Sequence, residues 1–272
     1  MAKTAIVVVS CDKYADLWPP FFQIFHQNWP DCPYPVFLGT NHLEYKNDCV
    51  TSIMIGQDRS WGENLRLLLD RIDVDRVILF LEDFLLIRSV STDEVSKMVR
   101  VAEEFDVSCL RLRPAPPPSL RLPDLVNLGE LQPGEEYRVS TQVAIWEVSV
   151  LKQLALPGFS AWDFETLGSL LSDRLPGIFW GVYSPVIDYR HAVERGLWLE
   201  EGLEICGRAG VRVDLPARGV VSEEERYASA HELKLTPRGL LHRVLPASVK
   251  SALKKRLRRR RLDILLEKSG SG

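Results

Sequence analysis

At 272 residues, with 46% hydrophobic and 26% charged side chains and a net charge of −3, the chain holds apolar material for one large core or two small ones, which excludes an intrinsically disordered protein. No stretch approaches the ~20 apolar residues of a membrane span, and the apolar run over residues 5–9 is too short for a secretory signal and meets Asp12 at once. Five scattered cysteines, odd in number and without a C-x-x-C pair, suit reduced thiols in a cytosol better than a disulfide framework or a zinc site.

Residues 4–10 (TAIVVVS) predict a buried first strand, with Cys11-Asp12-Lys13-Tyr14 at its carboxyl end. A helix starts near Trp18, tolerates Pro19 and Pro20 in its first turn and stops before Pro30. Residues 35–39 and 51–55 read as strands. Ser60-Trp61-Gly62-Glu63 has the Ser-x-x-Glu spacing of a capping box and opens a helix through Arg71. In residues 76–87 (RVILFLEDFLLI), Glu82 and Asp83 interrupt two apolar runs at the end of a buried strand, where open α/β sheets place their ligands. Such a pair either meets a cation or charged substrate, or caps the strand end on nearby backbone.

Ser91 opens a further helix to about Phe105, and residues 107–112 form the next strand. The proline-rich residues 113–123 (RPAPPPSLRLP) predict a loop or flap. Then come a strand over 141–146, a short helix over 149–154 and a helix over 162–175 with Asp163 and Glu165 near its start. Residues 178–188 are strand-rich and lead into Tyr189-Arg190-His191. This alternation predicts an α/β fold, a twisted and mostly parallel sheet with helices on both faces. Neither G-x-G-x-x-G, nor a P-loop, nor a glycine-rich nucleotidyltransferase loop follows the first strand, so a bound diphosphate would need a metal or basic side chains.

In order and spacing, SCDKY, SWGENL, LEDF, STQVAIW and AWDFE resemble the GT-A (Rossmann-like) nucleotide-sugar glycosyltransferases of the small bacterial surface-polysaccharide kind, over roughly residues 4–195. The resemblance implies a nucleotide-sugar donor, a glycan or lipid-linked acceptor and a domain over residues 1–200, followed by an extension over 201–272. It implies that Ser10, Asp12 and Tyr14 hold the nucleoside, and that Trp61, Gly62 and Asn64 sit beside the sugar nucleotide. Glu82 and Asp83 stand where the family's Asp-x-Asp binds Mg²⁺ or Mn²⁺; one of the two expected acids is absent in either register, and on an extended strand the pair would face opposite ways. Asp83 is then the closer metal and diphosphate ligand, with Glu82 second. Asp163 or Glu165 would be the general base, since two positions apart on a helix they do not share a face. Trp162 could stack on a sugar ring, and His191, Arg190 or Arg195 could reach the diphosphate. The alternative is a non-catalytic GT-A-like binding or assembly protein that has lost the complete metal motif.

Residues 250–261 contain eight Lys and Arg and no acid, and subtracting those eight from −3 leaves −11 on the rest. Residues 246–268 predict a basic amphipathic helix with Val249, Leu253, Leu257 and Ile264 near one stripe. Such a helix suits an anionic membrane surface, so the expectation is a cytoplasmic protein that is peripheral on the inner face of the membrane. The acidic body and the lack of interleaved aromatics argue against nucleic acid; a solvated or intersubunit helix is the other reading.

Overall fold

The computed structural model describes residues 3–215, 218–222 and 247–269, with the side chains of 247–253 and 268–269 outside that set. The first strand, β1 (Thr4–Val9), is an interior strand of the large sheet, third from one edge. A 3-10 turn (Asp12–Leu17) and α1 (Trp18–Asn28) lead to β2 (Val36–Thr40) and β3 (Thr51–Met54), both parallel and on one side of β1. Next, α2 (Trp61–Leu69) carries the chain across to β4 (Arg76–Leu81) on the other side of β1, also parallel. The strand order therefore reverses between β1 and β4, a topological switch point, and leaves a crevice beyond their carboxyl ends.

Beyond Leu81 the chain turns at Glu82-Asp83 into β5 (Phe84–Leu86), which leaves the large sheet to pair with β11 (Tyr189–His191). From there α3 (Thr92–Glu104) returns to β6 (Val107–Arg111). The proline-rich segment contains the two-residue β7 (Leu120–Arg121), which pairs with β8 (Leu128–Glu130). It is thus an edge extension of the sheet rather than a flap. Buried Arg111 pins this extension by donating to the carbonyls of Pro116 at 2.9 Å and Arg138 at 3.3 Å. After β9 (Ala144–Glu147) come α4 (Val148–Leu154), α5 (Ala161–Ser172) and β10 (Ile178–Val182). The sheet order is β3-β2-β1-β4-β9-β6-β10-β8-β7, and only β9 and β8 run against the rest.

Alternation along the central strands feeds two cores. Ile6, Val8, Ile78 and Phe80 face α1 and α3, where Phe21, Phe25 and Met98 meet them. Val7, Val77, Leu79 and Trp146 face the other way, onto Leu65 and Leu68 of α2 and Phe164 and Leu167 of α5. Helices thus cover both faces, as the unbroken apolar runs of β1 and β4 require.

Described residues after 200 pack into these same cores. The hairpin of β12 (Val193–Glu194) and β13 (Leu197–Leu199) runs directly into α6 (Glu200–Arg208), and β14 (Val220–Val221) pairs with β13. Ile205 and Cys206 pack in the core of β1, and Leu262 of α7 (Ala247–Ser269) is fully buried in the core of α5. The division expected at residue 200 therefore falls within packed structure. On α7 the docked side is Leu262, Leu265 and Leu266, whereas Leu257 and Ile264 of the expected stripe are exposed; the side chains of Val249 and Leu253 lie outside the described residues. No helix among the described residues is long and apolar enough to cross a membrane.

Candidate functional site

The crevice between β1 and β4 is a cleft of about 400 Å³. Its floor is Val9, Ser10 and Cys11 from the end of β1 and Leu81, Glu82 and Asp83 from the end of β4. Its walls come from Tyr14, from Trp61 and Asn64 at the start of α2, from Ala161 and Trp162 at the start of α5, and from the β12–β13 hairpin. Six of the residues expected to bind the sugar nucleotide, namely Ser10, Tyr14, Trp61, Asn64, Glu82 and Asp83, therefore line one cavity.

The turn after β4 removes the objection that Glu82 and Asp83 would face opposite ways, since both line the cleft. Glu82 is only 8% exposed, and burial, helped by the neighbouring Asp83 charge, pushes its carboxyl up to about 8, so it is largely protonated at neutral pH. Asp83 Oδ2 lies 3.3 Å from Nδ1 of His191, within hydrogen-bond distance. The β5–β11 ladder sets that contact by pairing His191 with Phe84, and Ala192 N–H donates to the Asp83 carbonyl at 2.7 Å. Behind them Phe84 stacks on Tyr189 at 4.3 Å, and the Tyr189 hydroxyl donates to Gln142 at 2.6 Å. His191 thus stands behind Asp83 rather than among the residues lining the cavity.

Ser10 Oγ accepts from Trp18 Nε1 at 2.8 Å, which fixes the loop after β1. Asp12, expected at the nucleoside, instead takes the backbone N–H groups of Asn41 and His42, each at 2.9 Å, and so staples the loop after β1 to the loop after β2. Gly62 is also structural. A Cβ there would stand 2.2 Å from the Leu156 carbonyl oxygen, and its N–H donates to Phe159 O at 3.0 Å.

The two acids expected to supply the base are engaged elsewhere. Asp163 closes a capping box with Ser160, and its buried carboxylate is gripped by Arg261 through two 2.9 Å contacts. Glu165 accepts from the backbone N–H of Thr141 at 2.9 Å and from its hydroxyl at 2.8 Å. Neither lines the cavity, and the AWDFE segment reaches it only through Ala161 and Trp162, the latter 72% exposed. Arg190 pairs with Glu201 at 2.9 Å and Asp188 at 3.4 Å, while Arg195 lines the cleft from a left-handed turn position (φ 52°) beside Gly196.

Two contributors were hidden from sequence reading. Asp58 lines the cleft, where its Oδ1 accepts from Asn64 Nδ2 at 2.8 Å. It was a loop acid with no pattern around it. Arg218 reaches back across 202 residues to pair with Asp16 at 2.6 and 2.9 Å, and its guanidinium lies 4.2 Å over the Tyr14 ring. That clamp holds the 3-10 turn that presents Tyr14.

Among the described residues no group of three or more His, Cys, Asp or Glu side chains is arranged to hold a metal. What the cleft offers is the Asp83 carboxyl group beside Glu82, whose carboxyl burial holds well above the usual carboxylate range. That fits a hydrated Mg²⁺ or Mn²⁺ completed by substrate oxygens, since such ions commonly bind through one or two carboxylates plus phosphates.

No protein-family model matches the chain, and no curated protein matches it. Among solved structures it is similar to residues 1–349 of S. aureus TarS in complex with UDP-GlcNAc, at 11% identity and a TM-score of 0.49, covering 76% of this chain and 65% of that one. A longer TarS structure is matched at 11% identity and a TM-score of 0.42, over 76% of this chain and 39% of that one. A UDP-glucose pyrophosphorylase complexed with UDP-glucose is matched at 9% identity and a TM-score of 0.43, over 71% of this chain and 93% of that one. The chain thus spans less than two thirds of the TarS chains it matches. At these identities and scores the likenesses assign neither family nor activity, and the chain's own cleft has to carry the functional reading.

Proposed function

We propose that this chain is a glycosyltransferase that moves a sugar from a nucleotide-sugar donor to a hydroxyl of a glycan or lipid-linked acceptor. The observation that carries the reading is the cleft at the β1/β4 switch point, which draws six expected donor-binding residues from three separate segments into one cavity. In this reading the nucleoside lies along Ser10 and Tyr14, and the sugar sits beside Trp61 and Asn64. The diphosphate lies at the end of β4. When bound, Mg²⁺ or Mn²⁺ on Asp83 would neutralise the leaving group's charge. Arg195 supplies a fixed cation from the hairpin wall, and protonated Glu82 adds no negative charge where the diphosphate must sit. His191 orients the Asp83 carboxylate.

The acceptor meets the exposed Trp162 ring. With Asp163 and Glu165 committed to Arg261 and Thr141, the acceptor proton falls to Asp58, a cleft acid whose side chain is 39% exposed. A thermal-shift panel of nucleotide sugars with and without Mn²⁺ tests the reading. At a hundred times its Kd the correct donor should stabilise the fold by about 2.7 kcal/mol, and Asp83→Asn should abolish most of that gain. If no nucleoside diphosphate stabilises the protein, the reading fails. The non-catalytic alternative, favoured by the lack of a three-ligand metal group among the described residues, would then stand.

A further inference from the structure

The C-terminal helix α7 is divided into two sides. One side is docked: Leu262 is fully buried, Leu265 and Leu266 pack against the same core, Arg261 grips Asp163, and Arg258 pairs with Glu136 at 3.2 Å. At 3.6 residues per turn, Arg256, Arg260 and Ile264 fall on one stripe at i, i+4 and i+8, with Leu257 seven residues before Ile264 on the same side. That side faces solvent. Arg256, Arg259 and Arg260 are exposed and have no ion pair among the described residues, and Leu257 and Ile264 are 60% and 45% exposed. The docked leucines explain how the helix is attached. They do not explain three unpaired arginines interleaved with two exposed aliphatic side chains.

We propose that this outward side of α7 is a docking surface for an anionic lipid bilayer. The net formal charge outside residues 250–261 is −11, so a negatively charged membrane on balance repels the rest of the chain and attracts this helix, which orients the protein as well as binding it. Leu257 and Ile264 favour lipid over nucleic acid, because aliphatic side chains between the arginines gain from a headgroup–acyl boundary and nothing from a phosphate backbone. The stripe is also joined to the cleft. Arg261, next to Arg260, holds Asp163, next to the cleft residue Trp162. Resting on the transferase reading, this identifies the acceptor class as lipid-linked.

The test is co-sedimentation of the full chain with phosphatidylcholine vesicles, with or without about one-third phosphatidylglycerol, at physiological salt. The chain should partition onto the anionic vesicles alone and be released at high salt. An R256Q/R259Q/R260Q variant should keep the parent's melting temperature and lose about a hundredfold in partition. Leu257→Ser with Ile264→Ser should weaken binding about tenfold without changing its salt dependence. Equal binding to neutral vesicles, no binding to anionic ones, full retention by the arginine variant, or displacement by duplex DNA at equal phosphate would each overturn the proposal. The assay contains no nucleotide, so its failure and a failure of donor binding are separate results.

Discussion

The cleft is flanked by two helix starts built almost alike. Ser60-Trp61-Gly62-Glu63 opens α2 and Ser160-Ala161-Trp162-Asp163 opens α5, each with a reciprocal capping box and each offering a tryptophan beside the same cavity. The loop between α4 and α5 ties them together, through Gly158 N–H on Ser60 Oγ at 2.9 Å and Gly62 N–H on Phe159 O. Their acids differ. Beyond its cap on Ser60, part-exposed Glu63 has a 3.9 Å contact to Arg59, whereas Asp163 is buried and held in a two-point pair by Arg261. The same local device therefore makes a simple cap at one helix and an anchor for the C-terminal helix at the other. An acid at a helix start says little about catalysis until its remote partner is known.

Breaking the junction between the two starts should have the largest effect. Gly62→Ala forces a Cβ against the Leu156 carbonyl at 2.2 Å and should cost about 3 kcal/mol in denaturant unfolding. The acids themselves should then separate. Asp163→Asn keeps the Ser160 cap on the backbone but removes the charge that Arg261 grips, for about 2 kcal/mol, while Glu63→Gln should cost about 0.5 kcal/mol. If the two variants cost the same, the Arg261 contact contributes nothing.

Glu82 sharpens the contrast from a third position, as a cleft acid with burial and no anchor. Its folded carboxyl is raised from 4.5 to about 8, so between these values the folded state holds a proton that the unfolded state has lost. Its contribution is complete below pH 4.5, declines by about 1.4 kcal/mol per pH unit above that and levels off beyond pH 8. Glu82→Gln should flatten that decline in a series of unfolding curves from pH 5 to 8. An unchanged slope would mean that Glu82 is ionised in the folded protein.

Much of the fold was legible in the residues. β1 and β4 each carry an unbroken apolar run after their first residue, and Ser60 and Ser91 marked their helices to within two residues. The AWDFE helix started one residue early, because Ser160 caps it, and ended three residues short of Leu175. The proline-rich stretch was harder, since β7 and β8 are held by pairing across the sheet edge and by Arg111 rather than by their own propensity.

Composition and local spacing determined the alternating α/β order, the two apolar faces of the central strands, the acids at the end of β4 and the basic character of the last helix. These depend on side chains within a few residues of one another, where period and capping act directly. Tertiary structure alone decided which acids stay available. Asp83 meets His191 across 108 residues, Asp163 meets Arg261 across 98, and Asp16 meets Arg218 across 202. Burial and long-range pairing set a carboxylate's chemistry, and neither exists until the sheet has brought those distant segments together.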